Sequence, residues 1–314
     1  MSTNAFAKNR IQPWQVVLCA GVFAYLLLAV TTKTVHPYHW FLLATIPASL
    51  LAAKRGRQFF LDWAPLISFW LTYDCLRLLQ PVLLDRVSVE TPYLIERWAF
   101  GWLAGGQVPA HAARSWLASN SGQIPGSIIS LAAQLVYFSH LLVVPVFLIW
   151  LWLQGRSSTK QRERFARHML AFSLMSFIAI IIYILLPVAP PWWVSLHGMA
   201  QPTGELVAQT KINAAMEGAL LQGMIKNAAQ WFAAVPSLHG AYPVLLVLLA
   251  LRDRKPMIIG LITIYGSAVW ASTVILNQHY IIDLMAGALI AIGAWLISAR
   301  IKYPAPARSQ SLPV

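Results

Sequence analysis

Long apolar runs bounded by charges or prolines constrain the fold of this chain more than any other feature. A helix needs about 20 mostly apolar residues to cross the hydrocarbon core of a bilayer. With 58% hydrophobic and 11% charged residues, the composition excludes both a soluble domain and a disordered chain. Eight runs predict an all-α, polytopic transmembrane helical bundle; they cover residues 14–32, 37–53, 59–82, 126–153, 169–187, 236–251, 257–276 and 280–299.

The basic residues follow this topology and do not mark a nucleic-acid surface. The net charge is +13, and most of the 23 Lys and Arg residues fall in loops that are cytoplasmic if the N-terminus is cytoplasmic. Cytoplasmic loops of membrane proteins carry such an excess. We therefore expect both termini in the cytoplasm, one membrane-embedded domain over residues 1–301, a disordered tail over 302–314 and no nucleic-acid partner.

Two predicted outer segments, about 83–125 and 188–235, are longer than connections require. In the first, stretches 92–103 and 110–117 mix tryptophans with charges, which suits either helices in the headgroup layer or an ordinary outer loop. In the second, stretch 203–232 suits an interfacial cap over a site. The Pro190-Pro191-Trp192-Trp193 sequence predicts the end of a span and an anchor at the membrane interface.

A His and an Asp at the start of the last run carry the first candidate chemistry. His279 and Asp283 are four residues apart, so a helix places both on one face. A carboxylate that accepts from one ring N–H fixes the tautomer and leaves the other nitrogen as a nucleophile. The alternative is a structural hydrogen bond at a helix start.

A second motif, Pro236-Ser237-Leu238-His239, opens the sixth run at the same outer surface as His279. Starting a helix explains Pro236 and Ser237, whereas His239 in the first turn has no such explanation. A helix N-terminus is also a natural phosphate site. We therefore expect Ser237 beside a bound phosphate.

These motifs resemble those of the type 2 phosphatidic acid phosphatase superfamily, which are Pro-Ser-Gly-His and His-x-x-x-Asp. The forms found here, together with the Leu186 to Trp192 segment, resemble the branch that contains inositol phosphorylceramide synthases. The resemblance covers Leu186 to Arg300 and implies a six-helix core within the bundle. It also implies a metal-independent and cofactor-free phosphatase or phosphotransferase that acts on a phospholipid or polyprenyl-type phosphoester.

The resemblance also implies residue roles. His279 would attack phosphorus to form a phosphohistidine, Asp283 would orient His279, and His239 would protonate the leaving alcohol. Whether water or an alcohol accepts the phosphoryl group stays open, as do the lipid and the oligomeric state. A transporter or scaffold in which these residues conduct protons or merely pair is the non-enzyme alternative.

The chain departs from the family pattern where the phosphate is usually neutralised. Leu238 replaces Gly, Ser272-Thr273 stands where Ser-Arg is usual, and no Lys-x6-Arg-Pro motif is visible. Charged groups at bilayer depth are costly and mark functional candidates. We therefore predict that Arg77, with Asp74 and Tyr73 beside it near the outer end of the third run, binds the phosphate. A structural ion pair between Asp74 and Arg77 is the alternative.

Overall fold

The computed structural model describes residues 13–32, 53–120, 122–155, 158–213, 228–252 and 256–301. Its contacts divide the chain into two compact units, Met1–Ile67 and Ser68–Val314. The first unit contains helix α1, Pro13–Thr31, and the beginning of α2, Ala53–Leu83. Residues 37–52 of the second predicted run and the predicted tail lie outside the described residues.

The second unit is built from helices, and in the described ranges its only bridges between extended segments are isolated pairs at Val188. Short 3-10 turns cover Leu84–Arg86 and Gly101–Ala104. After α2 the helices are α3 (Glu90–Phe100), α4 (Pro109–Ser119), α5 (Ile124–Gly155), α6 (Thr159–Leu185), α7 (Pro191–His197), α8 (Gly204–Asn213), α9 (Leu238–Arg252), α10 (Pro256–Ile275) and α11 (Ile281–Arg300). The predicted all-α bundle is confirmed.

Four of these helices, α5, α6, α10 and α11, are long and apolar enough to cross a membrane, and α1 and α9 contain shorter apolar stretches. Large apolar side chains such as Leu142, Ile264 and Leu289 are exposed on them, which suits lipid and not water. The chain is therefore an integral membrane protein. The count of eight spans stays a prediction.

Seven of the eight predicted runs fall on helices, but α6 begins at Thr159, ten residues before the predicted start at 169. Ser158 caps this helix by accepting a hydrogen bond from the Gln161 amide at 3.2 Å. The first turns of α6 carry charged residues, so a search for apolar runs places the start of this helix too late in the sequence.

Close contact between α9 and α11 brings the two predicted motifs together. A Cβ atom at Gly287 would lie 2.1 Å from the Ser237 carbonyl oxygen, and one at Gly240 would lie 2.6 Å from the Leu284 Cα atom. The Ser237 amide also donates to the Asp283 carbonyl oxygen at 2.9 Å. Glycine at both positions therefore lets the two helix starts meet backbone to backbone.

The two outer segments pack on one another through Val188. On either side of Val188, the Ser88 amide donates to the Pro187 carbonyl at 2.9 Å and the Ala189 amide donates to the Ser88 carbonyl at 3.0 Å. Within the second segment, the Val188 amide donates to the Phe232 carbonyl at 2.8 Å. The predicted interface anchor is wrong, because Trp192 and Trp193 are only 4% and 0% exposed. Pro191 begins α7, and the indole rings pack into an apolar cluster of the protein itself.

The amphipathic stretches predicted near 92–103 and 110–117 form helices, α3 with its following 3-10 turn and α4. Stretch 203–232 begins with α8, and its residues 214–227 lie outside the described part of the chain. Whether these helices lie in the headgroup layer stays a prediction.

Candidate active site

The structure places the three predicted catalytic side chains in one row. His239 Nδ1 lies 3.2 Å from His279 Nε2, and His279 Nδ1 lies 3.4 Å from Asp283 Oδ2. His279 and Asp283 are buried, and His239 is half-buried. Each nitrogen of the His279 ring therefore faces a different group: Nδ1 faces the Asp283 carboxylate, and Nε2 faces the His239 ring.

His279 is held by a short turn between α10 and α11. The Gln278 amide donates to the Thr273 carbonyl at 2.8 Å, and Asn277 adopts a left-handed backbone with φ of 59°. The Asn277 side-chain amide donates to Ser195 Oγ at 2.8 Å, which ties the turn to α7. Hydrogen bonds to α10 and to α7 therefore hold the turn that carries the His279 imidazole.

Asp283 has two roles that the sequence offered as alternatives. Its Oδ2 atom accepts a hydrogen bond from the Tyr280 amide at 2.8 Å, which caps the start of α11. The same oxygen faces His279 Nδ1 at 3.4 Å, a long separation for a hydrogen bond and a suitable one for an ion pair. The helix-start contact fixes the carboxylate, and the fixed carboxylate faces the histidine.

Two aromatic side chains from α5 pack on His239. The Tyr137 ring stacks on the His239 ring at a centroid distance of 4.3 Å, and the His140 ring lies 4.0 Å away at a steep angle. The sequence did not single out Tyr137. His140 is a lone histidine in a predicted span, for which packing is the simpler explanation, with lining of a pocket as the alternative if it faces the core. The available signal was their spacing, since residues three apart share a helix face.

Ser237 lies at the start of α9 and is fully buried. Its Oγ atom accepts a hydrogen bond from the Gly240 amide at 3.2 Å, so Ser237 caps the helix. The Tyr183 hydroxyl donates to the Pro236 carbonyl at 2.7 Å and fixes the preceding residue. A contact between Ser237 and substrate stays a prediction.

The predicted phosphate ligand Arg77 forms an ion pair with Asp74, and its Nε donates to the Asp74 carbonyl at 3.1 Å. The structural ion pair that we considered as the alternative therefore exists. Tyr73 on the same helix is half-buried, and its ring lies against the Phe69 ring at a centroid distance of 5.9 Å. Phosphate binding by Arg77, with Asp74 and Tyr73 beside it, stays a prediction.

Sequence reasoning missed Glu96, which is completely buried beside the site. Its Oε1 accepts from the Ile281 amide at 2.9 Å, and its Oε2 accepts from the Ile282 amide at 3.1 Å. Burial raises the pKa of the Glu96 carboxyl, and the two backbone donors partly offset this effect. No local pattern in the sequence indicates that residue 96 meets a helix that starts at residue 281.

A sequence model of the PAP2 superfamily matches residues 113–297, which include His239, His279 and Asp283. The chain belongs to the PAP2 superfamily. Among its relatives is the phosphoinositol dihydroceramide synthase of Bacteroides thetaiotaomicron, which is 23% identical over 280 residues, or 87% of each chain. Membership of the PAP2 superfamily makes the chain a membrane enzyme that acts on lipid phosphoesters as a phosphatase or phosphotransferase.

Fungal relatives match a smaller share of the chain. The inositol phosphorylceramide synthase of Candida albicans is 29% identical over 126 residues, which cover 39% of this chain and 26% of that protein. The catalytic subunit of the Schizosaccharomyces pombe inositol phosphorylceramide synthase is 26% identical over 141 residues, or 42% of this chain and 32% of that protein. No solved structure matches the chain.

Proposed function

We propose that this protein transfers a phosphorylated headgroup from a phospholipid to a lipid alcohol through a phosphohistidine on His279. The observation that carries the proposal is the orientation of the His279 ring. Its Nδ1 atom faces Asp283 and its Nε2 atom faces His239. A histidine in this setting has one nitrogen stabilised by a carboxylate and the other available beside a proton donor.

In the first step, His279 Nε2 attacks the phosphorus atom of the donor. The bond from phosphorus to the leaving alcohol oxygen breaks, and His239 supplies the proton that this oxygen takes up. Asp283 stabilises the positive charge that develops on the His279 ring. The products are a phosphohistidine that carries the headgroup and a free lipid alcohol.

The second step reverses the proton transfer. The hydroxyl group of the acceptor gives its proton to His239, and its oxygen attacks the phosphorus atom. The bond between phosphorus and His279 Nε2 breaks, which restores both histidines. Water at the acceptor position would turn the same site into a phosphatase.

Similarity along nearly the whole chain favours transfer over hydrolysis. The Bacteroides relative is named a phosphoinositol dihydroceramide synthase, and the match covers 87% of each chain. We therefore propose an inositol phospholipid as the donor and a ceramide-type alcohol as the acceptor. A phosphodiester donor carries one negative charge, which suits a site that lacks the family's usual Lys-x6-Arg-Pro and Ser-Arg motifs.

The distribution of basic residues supports an active site on the outer or lumenal face, with both termini in the cytoplasm. Helix α9 begins beside His239 and ends at Arg252. At that far end, Lys160, Arg164, Arg167 and Arg252 contribute to the lining of a cavity of about 520 Å³. Basic residues concentrate on the cytoplasmic side of membrane proteins, so the histidines would lie on the other side.

A transfer assay with labelled lipids tests this proposal. Purified protein in mixed micelles would receive phosphatidylinositol labelled in the inositol ring, with or without ceramide, or phosphatidic acid labelled in the phosphate. We expect a new labelled lipid that requires ceramide, and little free phosphate from phosphatidic acid. Water-soluble label that is independent of ceramide would instead indicate a hydrolase.

Histidine variants connect the assay to the site. We expect His279→Ala to abolish both transfer and an acid-labile phosphohistidine, and His239→Ala to abolish transfer. His197, which pairs with Thr210 in an outer segment, offers a matched control, and His197→Ala should retain transfer. Transfer that survives in both active-site variants would overturn the proposed mechanism, and a transporter would show no covalent label.

A further inference from the structure

Helix α11 begins with all four of its first amide groups bonded inside the protein. The Asp283 and Leu284 amides donate to the Tyr280 carbonyl at 3.2 and 3.4 Å. The Ile281 and Ile282 amides donate to the two carboxylate oxygens of Glu96, which lies 185 residues before Ile281. The first amides of a helix lack intrahelical partners and carry partial positive charge, so a carboxylate is well matched to them.

Helix α3, which carries Glu96, buries this carboxylate and exposes several large apolar side chains. Its buried side presents Pro92 and Glu96, whereas Leu94, Ile95 and Trp98 on the opposite side are exposed, Trp98 by 86%. A helix in water shows the reverse arrangement. Tryptophan and leucine facing outward are typical of a helix that lies in the headgroup layer.

The position of α3 fits that layer. It meets the first residues of α11, which is one of the four helices able to cross a membrane. The start of a spanning helix lies where the chain leaves the hydrocarbon core. The contact with the start of α11 therefore places α3 at that level, and lipid is the partner that fits its exposed side.

We propose that Glu96 is a positioning residue that fixes the start of α11, and with it His279 and Asp283, from a helix seated in the lipid headgroup layer. Both carboxylate oxygens are used by backbone amides, so Glu96 itself does not touch the reacting groups. Its effect would pass through the Tyr280 turn, which lies between His279 and the capped amides. The catalytic part of this inference rests on the proposed function.

A glutamine at residue 96 removes the two-oxygen cap with little change in shape. Its single amide oxygen can accept from only one of the two backbone donors, and its NH₂ group would face the other. Glu90 lies on the same helix and is exposed, so Glu90→Gln is the matched control. Thermal melting and membrane insertion of both variants would be measured first.

We expect Glu96→Gln to lower kcat on the order of tenfold, with KM within about twofold, because an unsatisfied buried donor loosens the catalytic turn. Removal of a negative charge near His279 and Asp283 should also shift the pH–rate profile to lower pH. Glu90→Gln should match the wild type. A normal kcat together with an unshifted pH–rate profile in Glu96→Gln would overturn the inference. A smaller amount of active protein with an unshifted pH–rate profile would overturn it as well.

Amide hydrogen exchange provides a readout that needs no substrate. In bilayer nanodiscs, Glu96→Gln should accelerate exchange at Ile281 and Ile282, and Glu90→Gln should not. Trp98→Glu, which alters only the exposed side of α3, should accelerate the same two amides if lipid seats the helix. Unchanged exchange in Glu96→Gln would refute the positioning role of Glu96. Unchanged exchange in Trp98→Glu would refute the seating of α3 in lipid. An inactive wild type would overturn the proposed function and leave this exchange test intact.

Discussion

Replacement of Gly287 by alanine should separate the two helices that carry the catalytic residues. The added Cβ atom would lie 2.1 Å from the Ser237 carbonyl oxygen and 3.1 Å from the Ala241 amide nitrogen, whereas ordinary contact begins at 3.4 Å. Both neighbours are backbone atoms, so α9 and α11 must move apart by about 1 Å. This movement would weaken the bond between Ser237 and Asp283 and lengthen the 3.2 Å contact between His239 and His279.

A misplacement of that size costs roughly 100-fold in turnover, and overpacking costs about 1–3 kcal/mol of stability. The assay would compare turnover and melting temperature of Gly287→Ala with those of Gly293→Ala. Gly293 lies on the same helix, and its Cβ would meet nothing within 4 Å, so we expect wild-type turnover and equal or higher stability there. Wild-type turnover in Gly287→Ala would refute the argument that this close contact sets the site.

Three further substitutions test Arg77, His140 and the α4 residue His111, whose Nε2 atom lies 3.0 Å from the Pro191 carbonyl oxygen. Arg77→Gln should abolish turnover in a protein that remains folded and inserted if Arg77 binds the phosphate; retained turnover with a lower melting temperature would indicate a structural ion pair only. His140→Phe keeps a ring beside His239 but removes the ring nitrogens; if these nitrogens assist proton transfer by His239, we expect kcat to fall on the order of tenfold with the melting temperature unchanged. A normal kcat would exclude this assistance. Burial lowers the pKa of His111 below 6.5, so stability should fall as the pH drops below that value. His111→Gln should reduce this loss between about pH 7 and about pH 5, as measured by melting temperature, and an equal loss would contradict the assignment.

Features that repeat along the chain were predictable from the sequence. Apolar length located α5, α10 and α11 within a few residues, because the bilayer imposes a minimum length on every helix that crosses it. The spacing of His279 and Asp283 predicted a shared helix face, and the structure places their side chains 3.4 Å apart. Such patterns depend on neighbours in sequence, which a single chain displays directly.

Contacts between distant segments were not predictable in this way. In the sequence, Glu96 is one of several charged residues in an amphipathic stretch. Only the folded chain shows that its carboxylate accepts hydrogen bonds from the Ile281 and Ile282 amides. Trp192 and Trp193 have the composition of an interface anchor, yet they fill the apolar cluster between the outer segments. Aromatic rings suit both environments, so composition cannot choose between lipid and protein.

The same contacts bear on where a substrate phosphate can bind. The start of α11 already holds the carboxylates of Glu96 and Asp283, so an anionic phosphate would be repelled there despite the favourable helix end. The start of α9, where His239 lies, has no such carboxylate at its cap, which is Ser237. A phosphomonoester carries more negative charge than a phosphodiester, so the two carboxylates at the start of α11 would repel it more strongly. This difference favours headgroup transfer from a phosphodiester lipid over removal of a terminal phosphate.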